Sequence, residues 1–385
     1  MSIRLNNRYG SEVLVSVILP CRNEELALPL CLTEIKKVFA QANIDGEIIV
    51  SDSSTDNSPQ IAKDFGVVLV KHDLLGYGQA CLEGFKAAQG KYLILGDADG
   101  TYDFNEIPNF LKYLQAGYNF VLGNRFAGKI DLGAMPILNR YLGNPILSLL
   151  FRLLFRAPLA DIHCGLRAIS KISFEKLNLK TTGMEFASEM IIKAVKKKMW
   201  IKELPINYYC RRGRSKLKPW ADGWRHLRFM LLYSPLVLFF LPGLTIFIVG
   251  LVSLGLIYFD AFSVLGRRLQ YHPMFLAALL IISGYQLIIF SIFAKIYAIT
   301  HLGEENKIIS FLQRYLNIER ASLIGLGISL MAAAIYLSIF FSWIKSGLGP
   351  LSEIKNSIVA LVLMILGLQT IFSSFMLSIL GIKER

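Results

Sequence analysis

Four stretches of this 385-residue chain, residues 229–258, 274–294, 321–343 and 356–382, contain no Asp, Glu, Lys or Arg. No other feature restricts the fold as much. Each is long enough to cross a bilayer hydrocarbon layer of ~30 Å, which takes about 20 helical residues. A helix without a charged face over that length has no natural water-facing side. Pro235 and Pro242 interrupt the first stretch, which predicts an interfacial start there and entry into lipid near Pro242. Charge is frequent up to about Arg228. The chain is therefore read as an N-terminal domain over residues 1–228, with juxtamembrane amphipathic segments, and a membrane domain of four transmembrane helices over residues 229–385. A mean hydropathy of +0.48 agrees with such a division, because it is high for one ordinary soluble domain.

Lys and Arg crowd residues 193–228, immediately before the first apolar stretch. Positive flanks stay on the cytoplasmic side, and residues 1–10 hold two arginines and no apolar run that would read as a signal peptide. The N-terminal domain is thus expected in the cytoplasm of a prokaryotic cell, and four spans return the Lys383-Glu-Arg385 tail to the same side. The formal net charge of +13 suits anionic lipid rather than nucleic acid once membrane spans are present. The five cysteines, Cys21, Cys31, Cys81, Cys164 and Cys210, are odd in number, lack metal-type spacing and all precede the spans. Free thiols without a catalytic role are expected.

Residues 13–19, 47–51, 67–70 and 91–96 read as buried strands alternating with helical patterns, the signature of a parallel α/β sheet. Such sheets bind ligands beyond the carboxyl ends of their strands. Three polar clusters fall there: Pro20-Cys-Arg22-Asn23-Glu24-Glu25, the run from Asp52 to Ser58, and Asp97-Ala-Asp99. Neither GxGxxG nor GxxxxGK[ST] occurs, which argues against dinucleotide oxidoreductases and P-loop NTPases. Residues 133–157 set Arg140, Arg152 and Arg156 among Leu, Ile and Phe. That amphipathic stretch fits either a membrane-surface helix or a packed core helix.

Asp97 and Asp99 carry the strongest chemical signal. Side chains two apart on extended backbone point the same way, so both carboxylates can face one hard cation, Mg2+ or Mn2+. Such an ion takes few carboxylates and completes its shell with substrate phosphates. A nucleotide diphosphate is the natural third partner.

At this point the chain resembles a known family, the inverting GT-A glycosyltransferases of family 2, and among them the polyprenyl-phosphate sugar synthases that act on dolichyl or undecaprenyl phosphate. The resemblance covers about residues 13–228. The run from Val15 to Glu25 is similar to the family's opening strand and turn, and Asp52-Ser-Ser-Thr-Asp56 to its base-reading motif, where only Asp52 carries over. Asp97-Ala-Asp99 matches the metal-binding DxD, with Gly100-Thr101 in place of the Leu-Gln common in mannose synthases. Gly123-Asn-Arg125, the run from Asp161 to Arg167, and Arg212-Gly-Arg-Ser215-Lys216 match later segments of the family in the same order.

The resemblance implies a GT-A fold, a mostly parallel Rossmann-like sheet, and transfer of one hexose from a nucleotide-diphosphate sugar, UDP-glucose or GDP-mannose, to a polyprenyl phosphate. Asp97, Asp99 and Arg125 are then the catalytic residues. Pro20, Arg22, Asn23, Glu24, Asp52 and Asp97 face the nucleotide sugar. Arg167, Arg212, Ser215 and Lys216 hold the lipid phosphate, as Arg forks and Lys point charges do. Asp161, Glu185 and Glu189 lie on the acceptor or sugar side; the two glutamates share a face of a helix expected over residues 183–198, where pairing with Lys193 is the other reading. A processive polysaccharide synthase is the nearest rival, although its Gln-x-x-Arg-Trp motif does not occur. A non-catalytic flippase or partner protein for a lipid-linked sugar is the other. A homo-oligomer stays open.

The basic residues Arg267, Arg268, Lys345 and Lys355 fall in the two loops that this topology assigns to the far side. A cysteine introduced at Ser346 is expected to react with membrane-impermeant reagent from the far side, and labelling from the cytoplasm alone would overturn the topology.

Overall fold

The computed structural model describes residues 13–213, 219–260, 263–264, 267–268, 271–301 and 318–381. The chain divides into two compact units, Met1–Tyr233 and Ser234–Arg385.

The first unit is built on a seven-stranded sheet, in chain order β1 (Val15–Cys21), β2 (Gly46–Asp52), β3 (Val68–Lys71), β4 (Tyr92–Leu95), β5 (Phe120–Asn124), β6 (Arg167–Ser170) and β7 (Ile201–Pro205). Their order across the sheet is β3-β2-β1-β4-β6-β5-β7. All pairs are parallel except those of β6, which runs antiparallel to both β4 and β5. The reversal has a functional result. The ends of six strands and the beginning of β6 meet at one edge, so residues 161–167 join the loops that follow β1, β2, β4, β5 and β7.

Both faces of the central strands are covered, which is why their sequences are continuously apolar rather than alternating. Val15, Val17, Ile18 and Leu19 of β1 are fully buried, as are Ile49 and Val50 of β2. Helix α1 (Leu28–Gln41) buries Leu28, Cys31, Leu32, Ile35 and Val38, one stripe at helical spacing. Helices α2 (Ser58–Asp64), α3 (Tyr77–Ala87) and α4 (Ile107–Gln115) follow β2, β3 and β4. Burial pushes the Cys21 and Cys31 thiols up to about 12, so neither supplies a thiolate near neutrality.

The amphipathic stretch resolves into a π-helical turn, Asn139–Gly143, running into α5 (Asn144–Phe155). Ser148 and Phe151 are buried, while Leu138, Leu142, Ile146, Leu149 and Leu153 form an exposed stripe. Helices α6 (Lys171–Leu177), α7 (Phe186–Lys196) and α8 (Pro219–Leu232) complete the unit, with α7 shorter at both ends than expected.

Among its described residues the second unit holds four helices long and apolar enough to cross a membrane, spanning Leu236–Tyr258, His272–Thr300, Ile318–Lys345 and Ile354–Leu380. The first comprises a π-helical turn, Leu236–Phe240, running directly into α9 (Leu241–Tyr258), with Pro242 just past the junction. The others are α10 (His272–His301), α11 (Ile318–Lys345) and α12 (Ile354–Leu380). A short hairpin, β8 (Ser263–Val264) with β9 (Arg267–Arg268), lies between α9 and α10. Lipid tails give apolar helices no hydrophobic reason to associate, so contact depends on small residues and buried polar pairs. Tyr285 and Thr370 hydroxyls lie 2.6 Å apart, Gln369 donates to Gln286 at 2.9 Å, and Ser322 and Ser374 lie 2.9 Å apart.

At Gly367 the α11 and α12 backbones touch. A Cβ there would stand 2.3 Å from Ser329 Oγ and 2.7 Å from the Gly325 carbonyl. Gly367→Leu is expected to force the helices apart at a cost of about 1–3 kcal/mol or more, read as a lower melting temperature of the full chain in detergent. An unchanged melting temperature would refute this packing.

Candidate active site

The two carboxylates of the DxD segment sit just past the end of β4. Asp97 Oδ1 accepts from the Tyr77 hydroxyl at 3.2 Å, and its other oxygen lies against Gly165, where a Cβ would come within 2.4 Å. Only glycine fits there. Burial and the adjacent charge of Asp99 push the Asp97 carboxyl up to about 7, the mark of like charges crowded in a poorly solvated place. Asp99 Oδ1 accepts from the Thr101 amide at 3.1 Å and from its hydroxyl at 2.6 Å.

Asp99 Oδ2 accepts from Arg211 Nη1 at 2.8 Å, and Arg211 Nη2 bonds Glu24 Oε1. One guanidinium thus joins the DxD segment to the loop after β1. Its backbone is held as well, because Arg212 N donates to the Asp99 carbonyl at 3.1 Å and Tyr209 N to the Thr101 carbonyl at 2.9 Å. The segment after β7 therefore runs antiparallel to residues 99–102, with Tyr102 bridged to Tyr208.

The loops after β1 and β2 are stitched together. Asn23 N donates to Ser54 Oγ at 2.7 Å, Thr55 N to Asn23 Oδ1 at 2.8 Å, and Glu24 N to Ser58 Oγ at 3.0 Å. Asn23 takes the left-handed conformation, φ 53°, which asparagine tolerates better than most residues. Arg22 is exposed and Pro20 half-buried at the same edge.

Other expected site residues have internal duties. Asp52 is fully enclosed, bonded to Ser54 and to Lys71 Nζ at 2.7 Å. Arg125 and Asp161 form a buried two-pronged pair, Nε to Oδ2 at 2.7 Å and Nη2 to Oδ1 at 2.8 Å, with the Arg125 amide donating to Oδ2 at 3.0 Å. The Tyr208 ring stacks under that guanidinium, 5.2 Å away. Arg167 was expected at a lipid phosphate and is corrected here: it is 1% exposed and its guanidinium donates to the carbonyls of Cys164, Ala187 and Ile162. Its cation is enclosed by the core. Glu189 likewise turns inward, to Lys193 Nζ at 2.6 Å and the amides of Lys180 and Thr181, so the Lys193 pairing describes it, in a buried rather than solvated setting. Glu185 stands half-buried just before α7, folded over Gly183. Arg212 is exposed beside Gly100. Ser215 and Lys216 lie outside the described residues.

Asp97 and Asp99 suit a hard divalent cation by donor type and by their shared excess of negative charge. Among the described residues no third His, Cys, Asp or Glu completes a protein cage. A cation there would take its remaining positions from water and phosphate.

Residues 16–177 match the glycosyl transferase family 2 profile, and residues 292–381 the glycosyltransferase family 2 C-terminal transmembrane region. The low-salt glycan biosynthesis hexosyltransferase Agl6 of Haloferax volcanii is 36% identical over 368 residues, covering 95% of this chain and 89% of its own. The chain belongs to glycosyltransferase family 2. It is an integral membrane glycosyltransferase of GT-A fold. A dolichyl-phosphate hexose transferase of the same organism is 30% identical over 212 residues, 54% of this chain and 89% of its own. A crystal structure of glucosyl-3-phosphoglycerate synthase from Mycobacterium tuberculosis with Mn2+, UDP and glucosyl-3-phosphoglycerate covers 60% of this chain and 86% of its own, at 18% identity and TM-score 0.47.

Sequence reasoning passed over Arg211 in this glycosyltransferase. The Cys210-Arg211-Arg212-Gly213 run offers two adjacent arginines, and spacing alone does not say which one turns inward. Extended backbone sends neighbouring side chains to opposite sides, so only one of the pair reaches the crevice. The signal was the doublet itself.

The Arg125–Asp161 pair sets a stability test. Asp161→Asn leaves a buried guanidinium without its counter-charge, at a cost of about 3–5 kcal/mol, whereas replacing both partners with apolar residues of similar volume costs much less. Denaturant unfolding of the full chain is expected to show that asymmetry; equal losses would reject it.

Proposed function

We propose that this glycosyltransferase transfers one hexose from a nucleotide-diphosphate sugar to the phosphate of a polyprenyl lipid, at the cytoplasmic side of the membrane. The observation that carries the proposal is the position of Asp97 and Asp99 beside Glu24 and Arg211, at the ligand-binding edge of the sheet, in a chain with four membrane-spanning helices. The resemblance of the relatives, one of them a dolichyl-phosphate hexose transferase, supports the acceptor class.

The chemistry asks little of a general base. A phosphate monoester oxygen is ionised near neutral pH, so it attacks the anomeric carbon directly. The new C–O bond forms as the bond from that carbon to the nucleotide's β-phosphate oxygen breaks, and the electron pair leaves with the nucleoside diphosphate. A divalent cation held by Asp97 and Asp99 supplies neutralisation of that leaving group when bound. Arg212, with Ser215 and Lys216 beside it in sequence, is the acceptor-phosphate contact in this reading, bringing together two anions that repel in water. The exposed Leu138–Leu153 stripe, which ends on α5, suits contact with the bilayer surface that delivers the lipid. UDP-glucose and GDP-mannose are the leading donors.

Purified full-length enzyme, given polyprenyl phosphate and a panel of nucleotide sugars, is expected to form a product carrying a single hexose and to stop there. Asp99→Ala, or excess chelator, is expected to lower the rate by more than about a hundredfold, the loss of one strong charge interaction in the transition state. Full activity in chelator would sink the metal assignment. A ladder of longer glycans would replace this reading with that of a processive synthase.

A further inference from the structure

Arg211 holds two carboxylates brought together from distant parts of the chain, and it does so incompletely. Nη1 and Nη2 are bonded to Asp99 and Glu24, while Nε is buried with no hydrogen-bond partner among the described residues. The Arg211 side chain is 21% exposed, Glu24 8% and Asp99 11%. A buried donor without an acceptor is unfavourable, and a guanidinium is matched better by the several oxygens of a diphosphate than by single oxygens of two separate carboxylates. Asp99 meanwhile has one oxygen on Thr101 and the other on Arg211. A divalent cation that binds Asp99 must therefore approach within a few ångströms of a fixed positive charge, or displace it.

We propose that Arg211 is a positioning residue with two stations. At one it serves as the cation on Asp99 and Glu24, as seen here; at the other, with a divalent cation and a nucleoside diphosphate bound together, its guanidinium bonds the diphosphate instead of Asp99. This rests on the reading of Asp97 and Asp99 as metal ligands for a nucleotide donor. Only the side chain has to swing, because the backbone on either side stays pinned by the Arg212–Asp99 and Tyr209–Thr101 hydrogen bonds. The consequence is coupling. Metal alone must evict Arg211 without offering it an acceptor, whereas metal with diphosphate supplies one, so each ligand raises the affinity for the other.

The test is Mn2+ binding by full-length protein in detergent, followed by electron paramagnetic resonance, with and without UDP or GDP. Wild type is expected to bind Mn2+ weakly alone and about tenfold or more tightly with the matching nucleotide. Arg211→Gln is expected to bind Mn2+ alone about tenfold more tightly than wild type and to lose most of the nucleotide-dependent gain. Arg211→Lys, which keeps the charge and loses the fork, is expected to fall between them. A variant that is merely damaged loses affinity in both conditions, so a gain in one and a loss in the other separates a two-station residue from a structural one. The proposal is overturned if Arg211→Gln binds Mn2+ alone no more tightly than wild type, or if it retains the full nucleotide effect, even where Asp99→Asn abolishes binding and so upholds the metal site. Absence of Mn2+ binding to wild type with either nucleotide overturns the metal reading and this proposal with it.

Discussion

Negative charge gathered at one edge of a parallel sheet repels itself, and the organisation of the first unit follows from how that repulsion is answered. Parallel strands leave their carboxyl ends side by side, so the loops after β1, β2 and β4 bring Glu24, Asp52, Asp97 and Asp99 to the same edge. Each of these carboxylates except Asp97 has a cation from elsewhere in the chain. Lys71 at the end of β3 takes Asp52, and Arg211 takes Asp99 and Glu24 together. Asp97 is pushed up to about 7 by burial and by the charge of Asp99, against the opposing hydrogen bond from the Tyr77 hydroxyl. Asp97 is thus the one of these four carboxylates with no cation bonded to it, and it belongs to the segment where a cation and a diphosphate are expected.

Four of the described arginines near this edge show how position decides chemistry. Arg125 is locked to Asp161 over the Tyr208 ring, and Arg167 is enclosed by backbone carbonyls. Both guanidiniums have their hydrogen-bond partners inside the protein. Arg211 is partly satisfied and Arg212 is exposed. Arg211 and Arg212 are neighbours in sequence on a segment that the edge hydrogen bonds hold in register.

The membrane unit meets a different constraint. Its helices present apolar side chains on all sides, so packing specificity comes from close backbone approach at Gly367 and from polar pairs such as Gln286 with Gln369. A buried amide pair has no water to fall back on in lipid, which favours one register of α10 against α12 over its neighbours.

Much of this was legible in the sequence because it depends on local pattern. The four uncharged runs, the strands alternating with helices, and the paired Asp97 and Asp99 after an apolar strand follow from periodicity and from the length of a bilayer. The order of the family's motifs indicated the fold and the reaction class. What the sequence did not disclose was anything that depends on a partner far along the chain. The reversal of β6, which brings residues 161–167 to the site edge, leaves no mark on a four-residue strand that reads the same in either direction. Arg167 resembles a phosphate ligand until three carbonyls enclose it. Arg211 and Arg212 are equivalent by composition, and only the register of residues 208–212 against 99–102 turns one inward to Asp99 and the other outward. Local residue chemistry determined which groups were available; the tertiary structure, by burial and pairing across long separations, decided which of them remain free to act.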